Sequence, residues 1–124
     1  MARLWLLLSA LAGFTGVGLG AFAAHGLKNV LTPAYLTVFQ TGTHYHLIHA
    51  LALFGVGVLA LQRPSRLLNV AGGCFALGIV LFAGSLYALT LSGIGALGMI
   101  TPVGGVSFLL GWLCLGLAAW KHGA

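Results

Sequence analysis

The chain has 124 residues, of which 60% are hydrophobic and 4% charged, with no Asp or Glu. A soluble domain carries roughly 25% charged residues to solvate its surface, so these proportions, with a mean hydropathy of +1.13, exclude a water-soluble globular domain. The formal charge of +5 does not indicate nucleic acid: phosphate-binding surfaces cluster their basic residues, whereas Arg3, Lys28, Arg63, Arg66 and Lys121 mark the ends of apolar runs.

About 20 apolar residues, rising about 1.5 Å each, cross a hydrocarbon core of roughly 30 Å. The first such run, residues 4–24, contains no charge. With Arg3 before it and Ala21-Phe22-Ala23 near its end it also resembles a secretory signal, but it is long for a signal's apolar region and is read as a span. His25 closes it. Thr32 and Pro33 have the form of a helix cap and first helical position, so the second helix is expected to start near Ala34 and to cross the membrane with residues 42–61. That helix is longer than the hydrocarbon core, which requires tilt or protrusion. Arg63-Pro64-Ser65-Arg66 ends it. The third span is expected over 67–91, and a glycine-rich link leads through Thr101-Pro102 into the fourth, 102–120.

Transmembrane barrel strands alternate polar and apolar residues, and these runs do not. The expected fold is therefore all-α: an integral membrane four-helix bundle forming a single transmembrane domain over 1–124. Cytoplasmic loops carry the excess of Lys and Arg. Placing both termini in the cytoplasm puts Arg3, Arg63, Arg66 and Lys121 inside and only Lys28 outside.

Lipid supplies no hydrophobic drive between helices, so small residues are expected at their contacts. Gly13, Gly16 and Gly20, then Gly72, Ala76 and Gly84, then Gly104, Gly105 and Gly111 are the candidates. A homo-oligomer is compatible with so small a bundle. Cys74 and Cys114 lie within apolar runs, where they read as free thiols filling apolar space.

An ionisable or polar group within a span is a functional candidate, because burying it in lipid is costly. His25, Gln40, His46, His49, Ser85, Tyr87 and Thr101 fall toward the same side of the membrane on this topology and form the expected polar cluster. His49 and Ser85 share an estimated depth of about 10 Å and are expected to pair. His44 and His46 point about 200° apart on a straight helix, whereas His46 and His49 share a face, so His25, His46 and His49 form the candidate metal set. Copper, zinc or a haem held by two histidines are the alternatives to having no cofactor. Hydrolytic catalysis lacks both a GxSxG motif and an acid to orient a histidine, and no catalytic residue is assigned.

Four stretches, GAFAAHGL, TGTHYHLIHALALFG, LFAGSLYAL and ITPVGGVSFLLGW, lie in order along the chain. In them the chain resembles the YgdD-like family of small bacterial inner-membrane proteins, an uncharacterised family with relatives in mitochondria. The resemblance implies a four-span inner-membrane protein and no established activity. It also implies a Tyr-Gln-x-x-His pattern, matched here by Tyr45 and His49 with His46 in place of glutamine, and a family-like set of His25, His49, Ser85, Tyr87, Thr101 and Pro102. The functional expectation is a non-enzymatic accessory or assembly component of a membrane complex. The alternative is a binding protein for a small ligand, metal or haem.

Overall fold

In the computed structural model, residues 1–122 are described; Gly123 and Ala124, and the side chain of His122, lie outside this description. Helix α1 (Ala2–His25) is followed by a turn, and α2 (Pro33–Gln62) starts where the sequence predicts. Thr32 is extended, its side-chain oxygen accepts the Tyr35 N–H at 3.2 Å, and Pro33 occupies the first turn. A capped helix start satisfies amide donors that would otherwise lack partners. Helix α2 ends at Gln62 because Pro64 disfavours helical geometry in the residue before it, and Arg63 leaves the helix at φ −140°.

Helix α3 (Arg66–Ser92) is continuous but not regular. At Ile79–Ala83 it widens into a π-helical turn, with the Gly84 N–H donating to the Ile79 carbonyl five residues back. Such a turn accommodates one extra residue and shifts the face of everything beyond it by about 100°. The helix stops at Gly93, whose φ of +76° is open to glycine but strained for other residues. A short 3₁₀ turn, Gly95–Met99, then leads into α4 (Thr101–His122).

All four helices are long and apolar enough to cross a membrane, and no strand occurs among the described residues. Their packing is sequential: α1 lies on α2, α2 on α3 and α3 on α4, with the π turn against both α2 and α4. Trp5, Ala60, Leu68 and Ala118 belong to one packed cluster with Leu53, Val56, Phe75 and Phe108. That cluster brings the segments carrying Arg3, Arg63, Arg66 and Lys121 to one end of the bundle. Ala23, Leu27 and Phe39, with Tyr87 against them, close the other end.

Glycine sets the closest helix contacts, although not at every expected position. A Cβ on Gly104 would lie 2.3 Å from the Phe82 main-chain nitrogen, so α3 and α4 touch backbone to backbone there. Gly72 meets the Trp5 indole, Gly111 the Phe75 ring and Gly16 the Leu47 side chain. Gly57 against Leu6 and Gly78 against Phe108 are further close contacts. Gly13, Gly20 and Gly84 have no neighbouring atom within 4 Å of a Cβ position, so of the Gly16–Gly20 pair only Gly16 packs. Gly105 makes only ordinary contact with Phe82.

Candidate functional site

Two hydrogen-bonded histidine centres replace the single polar cluster expected from depth. At the first, His46 on α2 bridges two other helices. Its Nε2 lies 3.2 Å from Thr15 Oγ1 on α1, and its Nδ1 lies 2.8 Å from Tyr87 Oη on α3. The proton positions follow from counting donors. Thr15 has one hydroxyl proton and lies 2.9 Å from the Leu11 carbonyl and 3.2 Å from that of Ala12, both of which can only accept. Donation to the main chain leaves its oxygen to accept from His46 Nε2–H. Nδ1 then carries the lone pair and accepts the Tyr87 hydroxyl. The reverse arrangement leaves the Tyr87 O–H without an acceptor, at a cost of about 1–3 kcal/mol.

The second centre has the opposite tautomer. The Trp112 indole N–H, which can only donate, lies 3.0 Å from His49 Nε2, so that nitrogen accepts. His49 Nδ1–H then donates to the Tyr45 carbonyl at 2.8 Å, one turn back on α2. The imidazole stacks on Phe108 with centroids 3.6 Å apart, and Phe75 lies at 5.7 Å. His49 is thus an apolar-core histidine whose polar atoms are both used.

These assignments correct three expectations. His49 and Ser85 do not pair: Ser85 donates to the Phe82 carbonyl at 2.9 Å and bonds with Thr101 at the head of α4. The two lie at different depths: His49 is level with Phe75, ten residues before Ser85 along α3, and with Phe108, whereas Ser85 is level with Thr101, where α4 begins. His25 and Gln40 join neither centre and are exposed, His25 at the end of α1 and Gln40 about two turns into α2. The metal set His25, His46 and His49 is not assembled either. Among the described residues no three His, Cys, Asp or Glu side chains come close enough to hold an ion, and both nitrogens of His46 and of His49 are engaged by other partners. Only His46 and Tyr87, and separately Ser85 and Thr101, are brought together from the expected cluster.

A family model described as "Protein of unknown function (DUF423)" matches residues 19–105, most of the chain and both histidine centres apart from Thr15, Phe108 and Trp112. The chain belongs to the DUF423 family. It is 45% identical to the UPF0382 membrane protein YwdK of Bacillus subtilis over 97% of this chain and 98% of that protein. It is 43% identical to the UPF0382 inner membrane protein YgdD of Escherichia coli over 90% of this chain and 85% of that protein. A UPF0382 membrane protein of Haemophilus influenzae is 40% identical over 98% of this chain and 97% of its own length. No solved structure matches. With four membrane-length helices, this DUF423 chain is a multi-pass inner-membrane protein.

Several site residues of this DUF423 chain escaped the sequence reading. Thr15 and Trp112 complete the histidine centres, and Trp5 donates to Asn69 Oδ1 at 3.0 Å, tying α1 to the start of α3. Ser107 donates to the Cys74 carbonyl at 2.7 Å, joining α4 to α3. The available signal was the donor inventory: a tryptophan within a span needs an acceptor for its N–H. Matching Trp5 and Trp112 to the acceptors Asn69 and His49 by approximate depth was possible before the fold was known.

Proposed function

We propose that the protein is a non-enzymatic component of the inner membrane, acting as an accessory or assembly partner of a larger membrane complex. The observation that carries this reading is the saturation of its buried polar groups. Among the described residues no buried side-chain nitrogen or oxygen lacks a hydrogen-bond partner, and the two buried imidazoles, His46 and His49, serve as bridges with no lone pair left for a substrate proton. General base catalysis needs an imidazole that can take up a proton in the reacting geometry. A haem held by His46 or His49 would need a nitrogen freed from Thr15, Tyr87, Tyr45 or Trp112. Meanwhile Phe14, Leu109 and Trp120 expose most of their surface outside the bundle, leaving apolar faces on α1 and α4 for other membrane components.

Gentle extraction of the tagged protein from its native membrane tests the reading. Recovery with a membrane protein at fixed stoichiometry is expected. Recovery of the protein with no other membrane protein, whatever small molecule it carries, would overturn it.

The proposed orientation has both termini in the cytoplasm, supported by the gathering of Arg3, Arg63, Arg66 and Lys121 at one end of the bundle and Lys28 at the other. A reporter active only outside the cytoplasm should give signal when inserted at Gly95 and none at the C-terminus. An active C-terminal fusion would reverse the assignment.

A further inference from the structure

We propose that the groove bounded by α1, α2 and α3 binds a single-chain amphiphile carrying a hydroxyl group, with Thr15, His46 and Tyr87 forming its polar end. This goes beyond the accessory role and does not depend on it. The groove encloses about 450 Å³, within the range of small-molecule sites. It runs along α1 from Leu8 to Leu19, about 16 Å of helix rise and so about half of a roughly 30 Å hydrocarbon core. Leu11, Leu53, Ile79 and Val80 make its walls apolar, and His46, Thr15 and Tyr87 are its polar side chains.

Two features distinguish this groove from an incidental seam between helices. Ile79 and Val80 belong to the π turn, a departure from helical geometry that recurs at functional sites. Gly84 lies on the same wall, and a Cβ there would meet nothing within 4 Å. Its lack of a side chain therefore relieves no helix contact and leaves the groove open.

The ligand chemistry follows from the proton count. The Tyr87 hydroxyl donates to His46, His46 Nε2–H donates to Thr15, and Thr15 donates to its own main chain. All three protons are committed inward. What remains toward the groove is acceptor capacity, on Tyr87 Oη and Thr15 Oγ1. A ligand that completes this site must bring a hydrogen-bond donor on a chain long enough to fill the apolar walls, and the donor assigned here is an uncharged O–H, alcoholic or phenolic. A carbonyl or ether meets only lone pairs.

Binding of radiolabelled dodecanol and of a decyl-substituted hydroquinone to the full chain in lipid bilayer discs tests the inference. Each probe is compared with its methyl ether, and the hydroquinone also with its oxidised quinone. At least one O–H form is expected to bind about tenfold more tightly than its ether, the worth of one hydrogen bond in an apolar site. Which of the two does so identifies an alcoholic or a phenolic ligand. Gly84→Leu should abolish that binding while leaving thermal stability unchanged, because its side chain enters open space. His46→Leu frees the Tyr87 proton and should shift preference toward the quinone. Equal binding of O–H and ether forms of both probes would show lipid-chain occupancy only and overturn the proposal. Full binding by Gly84→Leu would overturn it independently of whether His46→Leu folds.

Discussion

Gly104→Ala is expected to destabilise the bundle by about 3 kcal/mol, the upper part of the usual range for overpacking. The added methyl would sit 2.3 Å from the Phe82 main-chain nitrogen and 2.7 Å from its Cα. A flexible side chain can move aside, but a main chain inside a helix moves only with its neighbours. Relief therefore requires α4 to separate from α3, loosening the contacts of Gly111 with Phe75 and of Gly78 with Phe108. Gly13→Ala is the matched control: its Cβ meets no atom within 4 Å, and exchanging glycine for alanine in a helix gains up to about 1 kcal/mol. Unfolding in a mild detergent reads both. Gly104→Ala within about 0.5 kcal/mol of the parent would contradict the backbone contact.

The second large effect concerns the His49 centre. Trp112→Phe keeps an aromatic ring but removes the N–H directed at His49 Nε2. The nitrogen is left among Phe75, Phe108 and the altered ring, where a lost hydrogen-bond partner costs about 1–3 kcal/mol. His49→Leu strands the indole donor in the same way. The double variant should cost less than the sum of the two, by an amount near the upper end of the roughly 0.6–1.7 kcal/mol measured for hydrogen bonds between membrane helices. His49→Leu combined with Ser85→Ala should instead be additive, since the two residues have different partners. Additivity for the His49–Trp112 pair, or strong coupling between His49 and Ser85, would reverse the assignment of partners.

The span-level organisation was readable because bilayer thickness sets a length scale that composition reports directly. The absence of acidic residues, the Thr32-Pro33 cap and the Arg63-Pro64 break each have a local cause, and local causes are visible in a sequence. Helix partners are not local. His49 and Ser85 were matched by depth counted along each span, yet His49 lies level with Phe75, ten residues from Ser85 along α3. The π turn at Ile79–Ala83 was equally hidden. Nothing in Ile-Val-Leu-Phe-Ala announces a π turn, because its formation depends on how α3 fits between α2 and α4. The glycines show the same limit: Gly16 and Gly20 are equivalent by spacing, yet only Gly16 faces a neighbouring helix. Whether a small residue packs depends on helix rotation, which requires knowing which helices are adjacent.

The attachment of α1 has a consequence for how the protein comes apart. This helix rests chiefly on α2, and its tethers elsewhere are the Trp5–Asn69 bond and the interlocking of the Trp5 indole with Gly72. Helices α2, α3 and α4 by contrast share Phe75, Phe108 and the His49–Trp112 bond. Regions of a fold open locally as cooperative units, and α1, held almost entirely by its single interface with α2, is expected to leave as one such unit while the His49–Trp112 bond still joins α2 to α4. Pulling a single molecule from its N-terminus should release α1 as a separate low-force step before the rest yields. One all-or-none event would instead show four helices of equal standing.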